Sequence, residues 1–447
     1  MKQLITALSF IIFHLSFSPA GAHNLPSPRE GQGVGLDRSW YLSGEAMTVR
    51  VTGFDAAIAY AELCDTHGLA AGTIFRLKGG AGEGIIELPA DLHSGYYMLS
   101  VYTRNTPQVS QQLIAVVNPL IKSQDDDIEW VEGESFGGGW KVEGGVRIPQ
   151  ALEHFSFNPP PSTFNPSVPE LEGHIIQAHI KNVQDVKRQT SNFNPQTSIR
   201  PSLSIIGKQI HYFEGKMVND TTAVFYNFGI HGKLPLVLSA MTSTGESLPI
   251  ELKSPFAVLL PQELPHLVFH YKRSEVEARS LDMQRHQIAI TPAKHERQLG
   301  DLANESAAEG VVLDYDDTVF GVKPDLSYNL DEYRQFLTIR EVLLEYVIFV
   351  RKTKINGEQL LIVRRMEDNH TSLLPSLVLI DGMPVNDIEQ LLNYDARRIH
   401  HINIYGGLFT FGNSVFDGIL SFVTRSGRLT NYPVEPNMQY VVYEFPE

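Results

Sequence analysis

Cys64 is the only cysteine in 447 residues, and it stands three positions before His67 in the run AELCDTHG. A thiolate and an imidazole at that spacing could start a metal site, but two ligands fall short of the four a tetrahedral zinc takes. The surrounding residues read as a strand, which makes Cys64 a small buried core residue instead. Two acidic runs, Asp125-Asp126-Asp127 and Asp314, Asp316, Asp317, could attract a divalent cation. Neither has the Asp-x-Asp-x-Asp-Gly order of a calcium loop, so they read as a solvated linker and an acidic turn. His286 and His295 are nine apart with no acidic partner at metal-helix spacing and read as surface residues. GGAGEG at 79–84 has the glycines of a phosphate loop, yet a strand follows it where a helix N-terminus would be required. No nucleophile elbow, H-E-x-x-H, Cys-x-x-Cys, phosphate-loop or dinucleotide fingerprint is read beside these residues. The expectation is a protein with no catalytic residues, no cofactor and no metal. Carboxylates that meet only in three dimensions keep a composite enzyme site open as a less favoured alternative.

Composition narrows the setting in which such a chain works. A formal charge of −15 repels a polyanion, and no basic stripe offsets it, so nucleic acid is excluded as a partner. Hydrophobic residues at 43% and aromatics at 10% suffice for ordinary burial. A chain of 447 residues exceeds one core and suggests about three domains. Residues 1–22 have the form of a secretory signal: Lys2, an apolar stretch from Leu4 to Phe17, and an Ala20-Gly21-Ala22 cleavage site. Removal would leave His23 first. The apolar stretch is too short to span a bilayer and His14 interrupts it, and no other long apolar run exists, so no transmembrane segment is expected in the mature chain. With one cysteine, an exported protein has no internal disulfide and depends on burial for stability.

Residues 23–118 alternate with period two: Met47, Val49 and Val51 against Thr48, Arg50 and Thr52, with further strands separated by Gly, Asp and Pro. Short strands at this interval predict an Ig-like β-sandwich. The pieces YLSGE, GEGIIELP at 82–89 and SGYYMLSVYT at 94–103 resemble the macroglobulin-like domain of complement and α-2-macroglobulin relatives. Those relatives use a Cys-Gly-Glu-Gln thioester; Asp65 and Thr66 follow Cys64 here, so protease trapping is not implied. Residues 119–170 are acidic and rich in Gly and Pro, a linker composition. Residues 171–262 alternate again, with a hairpin at Asn219-Asp220, and predict a second sandwich. Its layout resembles carboxypeptidase-regulatory-like domains, although Thr221 stands where the D-G-x-F hairpin has Gly. Residues 263–309 form a connector.

Residues 310–430 carry the most ordered pattern. Leu330, Tyr333, Phe336, Ile339, Leu343, Tyr346 and Val347 recur at spacings of three and four, which predicts one amphipathic helix capped near Asn329. Leu377 to Ile380 read as a strand ending in an Asp381-Gly382 turn. A short helix follows at Ile388, Leu391 and Leu392, then a strand at 399–405 broken by Gly406-Gly407, and a last strand at 419–424. Residues 431–447 read as a tail. The order I-D-G-x-P-V, short helix, D-x-x-x-I-x-x-I, glycines, then F-G-x-x-x-F-D-G-I-L-S-F-V-T resembles the plug domain of TonB-dependent outer-membrane receptors of Bacteroidota. Phe411-Gly412, Gly418-Ile419-Leu420, Phe422 and Thr424 carry the last part of that likeness.

The fold class expected is therefore mainly β and multidomain: two Ig-like sandwiches followed by a small α+β plug-like domain. Receptors of the resembled type close a barrel of about 22 strands around the plug. Only 20 residues follow Gly427, so the barrel is expected to be missing from this chain, and no TonB box is evident. The expected function is a non-catalytic, exported binding or adaptor protein of the cell envelope, in the periplasm or at the outer membrane. Its partners would be other envelope proteins, including an outer-membrane barrel. The alternative is an accessory or truncated component of a TonB-dependent uptake system. The candidate binding residues are Asp381 and Gly382 at the turn, and Leu408, Phe409 and Phe411 in the loop expected after Gly406-Gly407, the alternative for these last three being that they pack inward.

Overall fold

Met47, Val49 and Val51 are buried while Ala46, Arg50 and Thr52 face outward, so the period-two reading of this stretch is realised as a strand with one wet face. The computed structural model describes residues 33–118, 170–183, 199–269, 276–285, 317–364 and 374–446, isolated positions apart, with strand pieces at 129–130, 140–143 and 146–149. Asp125 to Asp127, His286, His295, Asp314, Asp316 and the signal-like residues 1–22 lie outside the described residues. The chain is mainly β and divides into two units, one of Met1–His174, Phe256–Pro292 and Pro446–Glu447, the other of Ile175–Pro255 and Ala293–Phe445.

The first unit holds a sandwich. One sheet pairs β1 (Gly33–Leu36), β3 (Ala46–Thr52) and β6 (Gly82–Glu87). The other has the order β2-β8-β7-β4-β5, from β2 (Trp40–Leu42), β4 (Ile58–Cys64), β5 (Leu69–Arg76), β7 (Gly95–Tyr102) and β8 (Val109–Val117). Met47, Val49 and Val51 meet Leu63, Leu99 and Val116 between the sheets. Every residue of β4 is buried because the outer face of its sheet is covered as well. Leu259 packs there on Ile58, Tyr60 and Tyr102, and Leu267 and Val276 pack on Trp40 and Tyr96. Cys64 is a core residue, and burial pushes its thiol up to about 12. The glycine-rich run at 79–84 serves packing: a Cβ on Gly84 would lie 2.3 Å from Cδ1 of Phe75. The stretch read as a bare linker contributes β9 (Glu129–Trp130), β10 (Trp140–Glu143) and β11 (Val146–Pro149), which join β19 (Val268–Phe269) in a small sheet.

The second unit contains the other sandwich. One sheet has the order β15-β16-β12-β18, from β12 (His174–Ile180), β15 (Lys216–Met217), β16 (Thr222–Asn227) and β18 (Ile250–Leu252). Its partner has the order β14-β13-β17-β27, from β13 (Ile199–Ile205), β14 (His211–Glu214), β17 (Gly232–Thr242) and β27 (Gln439–Phe445). The stretch expected to be a tail is thus a strand, antiparallel to β17 from Gly232↔Phe445 to Leu238↔Gln439. Tyr443 and Phe445 enter the core with Leu203, Phe225 and Leu236. Their apolar period had no neighbour in sequence to declare it.

The same unit carries the α+β domain. Its sheet has the order β20-β25-β26-β23-β24, from β20 (Leu326–Asn329), β23 (Leu377–Ile380), β24 (Met383–Pro384), β25 (Ile399–Phe411) and β26 (Ser414–Thr424). A hairpin of β21 (Val350–Ile355) and β22 (Glu358–Val363) flanks it. The short helix is present as α2 (Ile388–Leu392), capped by Asp387. The single long helix is not. Asn329 caps a 3-10 turn at Leu330–Glu332, the chain then runs extended, and α1 (Ile339–Glu345) starts afresh. Thr338 and Glu341 form a capping box there, so this T-x-x-E signal outweighed the longer apolar period. Gly406 and Gly407 do not break the strand either. The register shifts between Tyr405 and Leu408, a bulge, and β25 continues to Phe411.

Candidate functional site

Sheet alternation sends Leu203, Leu236 and Leu238 into the second sandwich, which leaves Ser202, Ser239 and Arg200 on the opposite face. Ser202 lies across from Ser239 and Arg200 across from Met241 in the β13–β17 ladder. Val237 and Ile206 on this side join the core of the α+β domain with Val378, Ile380 and Leu391. Beside that apolar seam the two domains stand apart. They enclose an open cleft of about 1000 Å³, floored by β13 and β17 and walled by β22, β23, β24, the start of α2 and Phe416 of β26. Its size is at the upper end of small-molecule sites.

The carboxylates around the cleft are already engaged by the protein. One oxygen of Glu435 accepts the backbone N–H groups of Asn386 and Asp387, each at 2.9 Å. Asp387 accepts the N–H of Gln390 at 3.0 Å as the cap of α2. Glu389 is held by Arg340 and Lys352, and the Arg340 hydrogen bond keeps its carboxyl below the usual range. The buried groups left without a partner are donors. Nε2 of Gln359 and Nδ2 of Asn386 are buried and have no acceptor among the described residues. Arg200 and Lys354 also line the cleft, and neither forms an ion pair among the described residues. Tyr212 and Phe416 meet edge to face with centroids 6.4 Å apart. Burial pushes the Tyr212 hydroxyl up to about 12, so it is protonated at neutral pH.

The five residues singled out from sequence lie elsewhere in this unit and do not form one site. Asp381 and Gly382 do make a turn with positive φ, 48° and 92°. Asp381 is buried, however, and works as an internal acceptor. Its carboxylate takes the N–H of Thr424 at 2.7 Å, the Thr424 hydroxyl at 2.5 Å and the N–H of Leu429 at 2.7 Å. Burial raises its pKa and these donors oppose the rise. Gly382 abuts the second sandwich: a Cβ there would come within 2.6 Å of Ile210 Cγ2. Leu408 is 59% exposed. Phe409 and Phe411 sit in strand β25 and pack with Phe320, Tyr405 and Phe416. Only Leu408 of the five is fully available to a partner.

A second cluster, in the first unit, has catalytic-looking residue types. Glu170 accepts the Tyr60 hydroxyl at 2.7 Å and Arg104 at 3.1 Å, and lies 3.2 Å from Nδ1 of His174. Glu62 accepts the N–H groups of Val258 and Leu259 and the Tyr102 hydroxyl. Tyr60, Glu62, Glu170 and His174 are all buried, and the cluster ties separate segments of the unit together. Burial lowers the pKa of His174 and raises that of Glu62. Among the described residues no three of His, Cys, Asp or Glu are placed to hold a metal ion.

Sequence reading did not find the cleft, and it passed over one motif. Asn386 was visible as a polar residue beside the short helix, but Arg200, Gln359 and the paired serines carry no motif. The one available signal was the period-two serines in SLSII and LVLSAM, polar positions on a face that also bears Val237 and Ile206. The pattern G-x-S-x-G does occur, from Gly133 to Gly137, outside the described residues. A nucleophile elbow needs a helix directly after it, whereas the next element among the described residues is strand β10.

No family model matches the chain, and no curated protein matches it. Solved structures give faint likenesses. The BSP domain of a biofilm-associated protein is 10% identical over 52% of this chain and 30% of its own, with a TM-score of 0.16. Escherichia coli alpha-2-macroglobulin activated by porcine elastase is 8% identical over 52% of this chain and 20% of its own, with a TM-score of 0.17. Salmonella alpha-2-macroglobulin reacted with methylamine is 11% identical over 55% of this chain and 16% of its own, with a TM-score of 0.17. The chain thus spans less than a third of these proteins. Scores so low carry no argument about this chain.

Proposed function

We propose that this chain is a non-catalytic, exported binding or adaptor protein of the cell envelope, and that the cleft of the second unit is its ligand site. The observation that carries the reading is the state of the cleft's polar groups: each of the carboxylates Asp387, Glu389 and Glu435 is engaged by the protein, while two buried amide donors remain without acceptors. A general acid or base needs a free titratable group aimed at substrate. A binding site needs donors awaiting acceptors, because a buried unmade hydrogen bond costs about 1–3 kcal/mol. The plug-like motif order, the macroglobulin-like pieces and the signal-like first 22 residues favour the envelope as its place of work. Among the described residues no helix is long and apolar enough to cross a membrane.

The test is fractionation combined with site-specific photocrosslinking. A crosslinker at Ser243, on the rim of the cleft, should capture a ligand or neighbour in the envelope fraction, whereas one at Leu344 on α1 should not. Equal capture at both positions, or a cytoplasmic protein with Met1 intact, would defeat the reading. A barrel protein as the captured neighbour would support the accessory role in uptake in place of a free-standing adaptor.

A further inference from the structure

We infer that the cleft of the second unit takes an acidic, polyhydroxylated ligand: an oligosaccharide bearing carboxylates. The inference rests on the reading of the cleft as a binding site and adds the chemistry of what it binds. Every carboxylate on its lining named above already accepts hydrogen bonds from the protein, and the buried polar atoms of the lining that have no partner are donors. What it offers is donors. Two are neutral and buried, Nε2 of Gln359 and Nδ2 of Asn386. Two are cationic, Arg200 and Lys354, without ion pairs among the described residues. A partner that satisfies all four brings several acceptors and negative charge. The whole chain carries a formal charge of −15 and the lining itself includes three carboxylates, so the attraction for an anion is local to Arg200 and Lys354.

Shape and backbone chemistry separate a saccharide from a peptide. An extended peptide is held by main-chain hydrogen bonds to an open strand edge. The floor here is a sheet face whose main-chain groups are spent in the β13–β17 ladder. The edge strand on the wall, β24, ends in Pro384, which has no N–H to give. Side chains must therefore do the recognition. Hydroxyls, amides and a guanidinium are suited to ring hydroxyls and carboxylates. Tyr212 and Phe416 supply an aromatic surface for the C–H face of a sugar ring. A volume of about 1000 Å³, open to solvent, accommodates a chain of sugars better than one.

The experiment is calorimetric titration of the full chain with three probes: trigalacturonate, neutral maltotriose and triglutamate. Trigalacturonate should bind, and maltotriose should bind at least about tenfold more weakly. Arg200→Gln should weaken trigalacturonate roughly ten- to hundredfold, the worth of one charge-assisted hydrogen bond. Gln359→Glu, which puts a charge where a donor stood, should weaken it further. Both variants must keep the wild-type melting temperature; if either does not, Lys354→Gln on the exposed rim replaces it. Equal affinity for maltotriose, or no effect of these variants, would overturn the acidic-saccharide assignment while leaving the cleft a binding site. Triglutamate bound in preference would make the ligand an acidic peptide and overturn it equally. Failure of all three probes with Ser243 crosslinks retained overturns only the saccharide; failure with those crosslinks also lost overturns the binding reading itself.

Discussion

At the scale of single residues, buried carboxylates decide more of the second unit's stability than any exposed ion pair. Asp381 is one acceptor serving three donors across the β23–β26 edge. Asp381→Ala strands those donors, and we expect a loss of about 3 kcal/mol in urea unfolding. Glu62 does the same work in the first unit, where burial raises its pKa. A carboxyl whose pKa is raised in the folded state favours the folded protein below the ordinary value of 4.5 and loses that contribution as pH rises through the folded value. The stability difference between wild type and Glu62→Gln should therefore shift against wild type as pH increases from that point. A difference independent of pH, measured by denaturant midpoints, would mean Glu62 is not desolvated.

Elements show how local signals compete. Thr338 ends the extended run after the 3-10 turn because its hydroxyl and the Glu341 carboxylate satisfy backbone donors reciprocally. Thr338→Ala should cost about 1 kcal/mol, read as a lower urea midpoint, with α1 fraying first in hydrogen exchange. The β25–β26 hairpin is long because its glycines form a bulge, and its distal half carries a ring cluster. Phe411→Ala should cost about 2 kcal/mol, less than a fully buried Phe, by removing contacts with Tyr212, Phe320 and Phe416. Leu408→Asp, on an exposed position of the same strand, should leave the melting temperature unchanged. If Leu408→Asp destabilised the protein as much as Phe411→Ala, the assignment of inward and outward faces would be wrong.

For the molecule as a whole, the pairing of β17 with β27 ties the chain's final strand to a sandwich more than 200 residues earlier. The α+β domain lies between those strands in sequence and shares a core with the sandwich through Ile206 and Val237. The second unit should therefore unfold in one calorimetric transition, with no separate transition for the α+β domain. Deleting residues 437–447 removes Tyr443 and Phe445 from the core and exposes the edge of β17. We expect aggregation of that variant, as unpaired edges promote it. A soluble truncated protein with the wild-type melting profile would show that β27 contributes nothing.

The β class, the strands of the first sandwich other than β1 and β2, the Asp381-Gly382 turn and the short helix at 388–392 were legible in the residues alone. These follow from rules that act over a few residues: period-two burial, the φ > 0 tolerance of Asp-Gly and helical spacing of three apolar residues. Tertiary structure alone decided which residues meet. Asp381 looked like an exposed turn residue and is buried because Thr424 and Leu429 bring donors to it. Phe409 and Phe411 read as loop residues and became strand because Gly406 and Gly407 absorbed a bulge without ending the ladder. The cleft was invisible because its floor, wall and rim come from Arg200, Gln359, Asn386 and Glu435. No spacing relates those four; they converge because a strand face left polar by alternation lies beside a domain that covers only part of it.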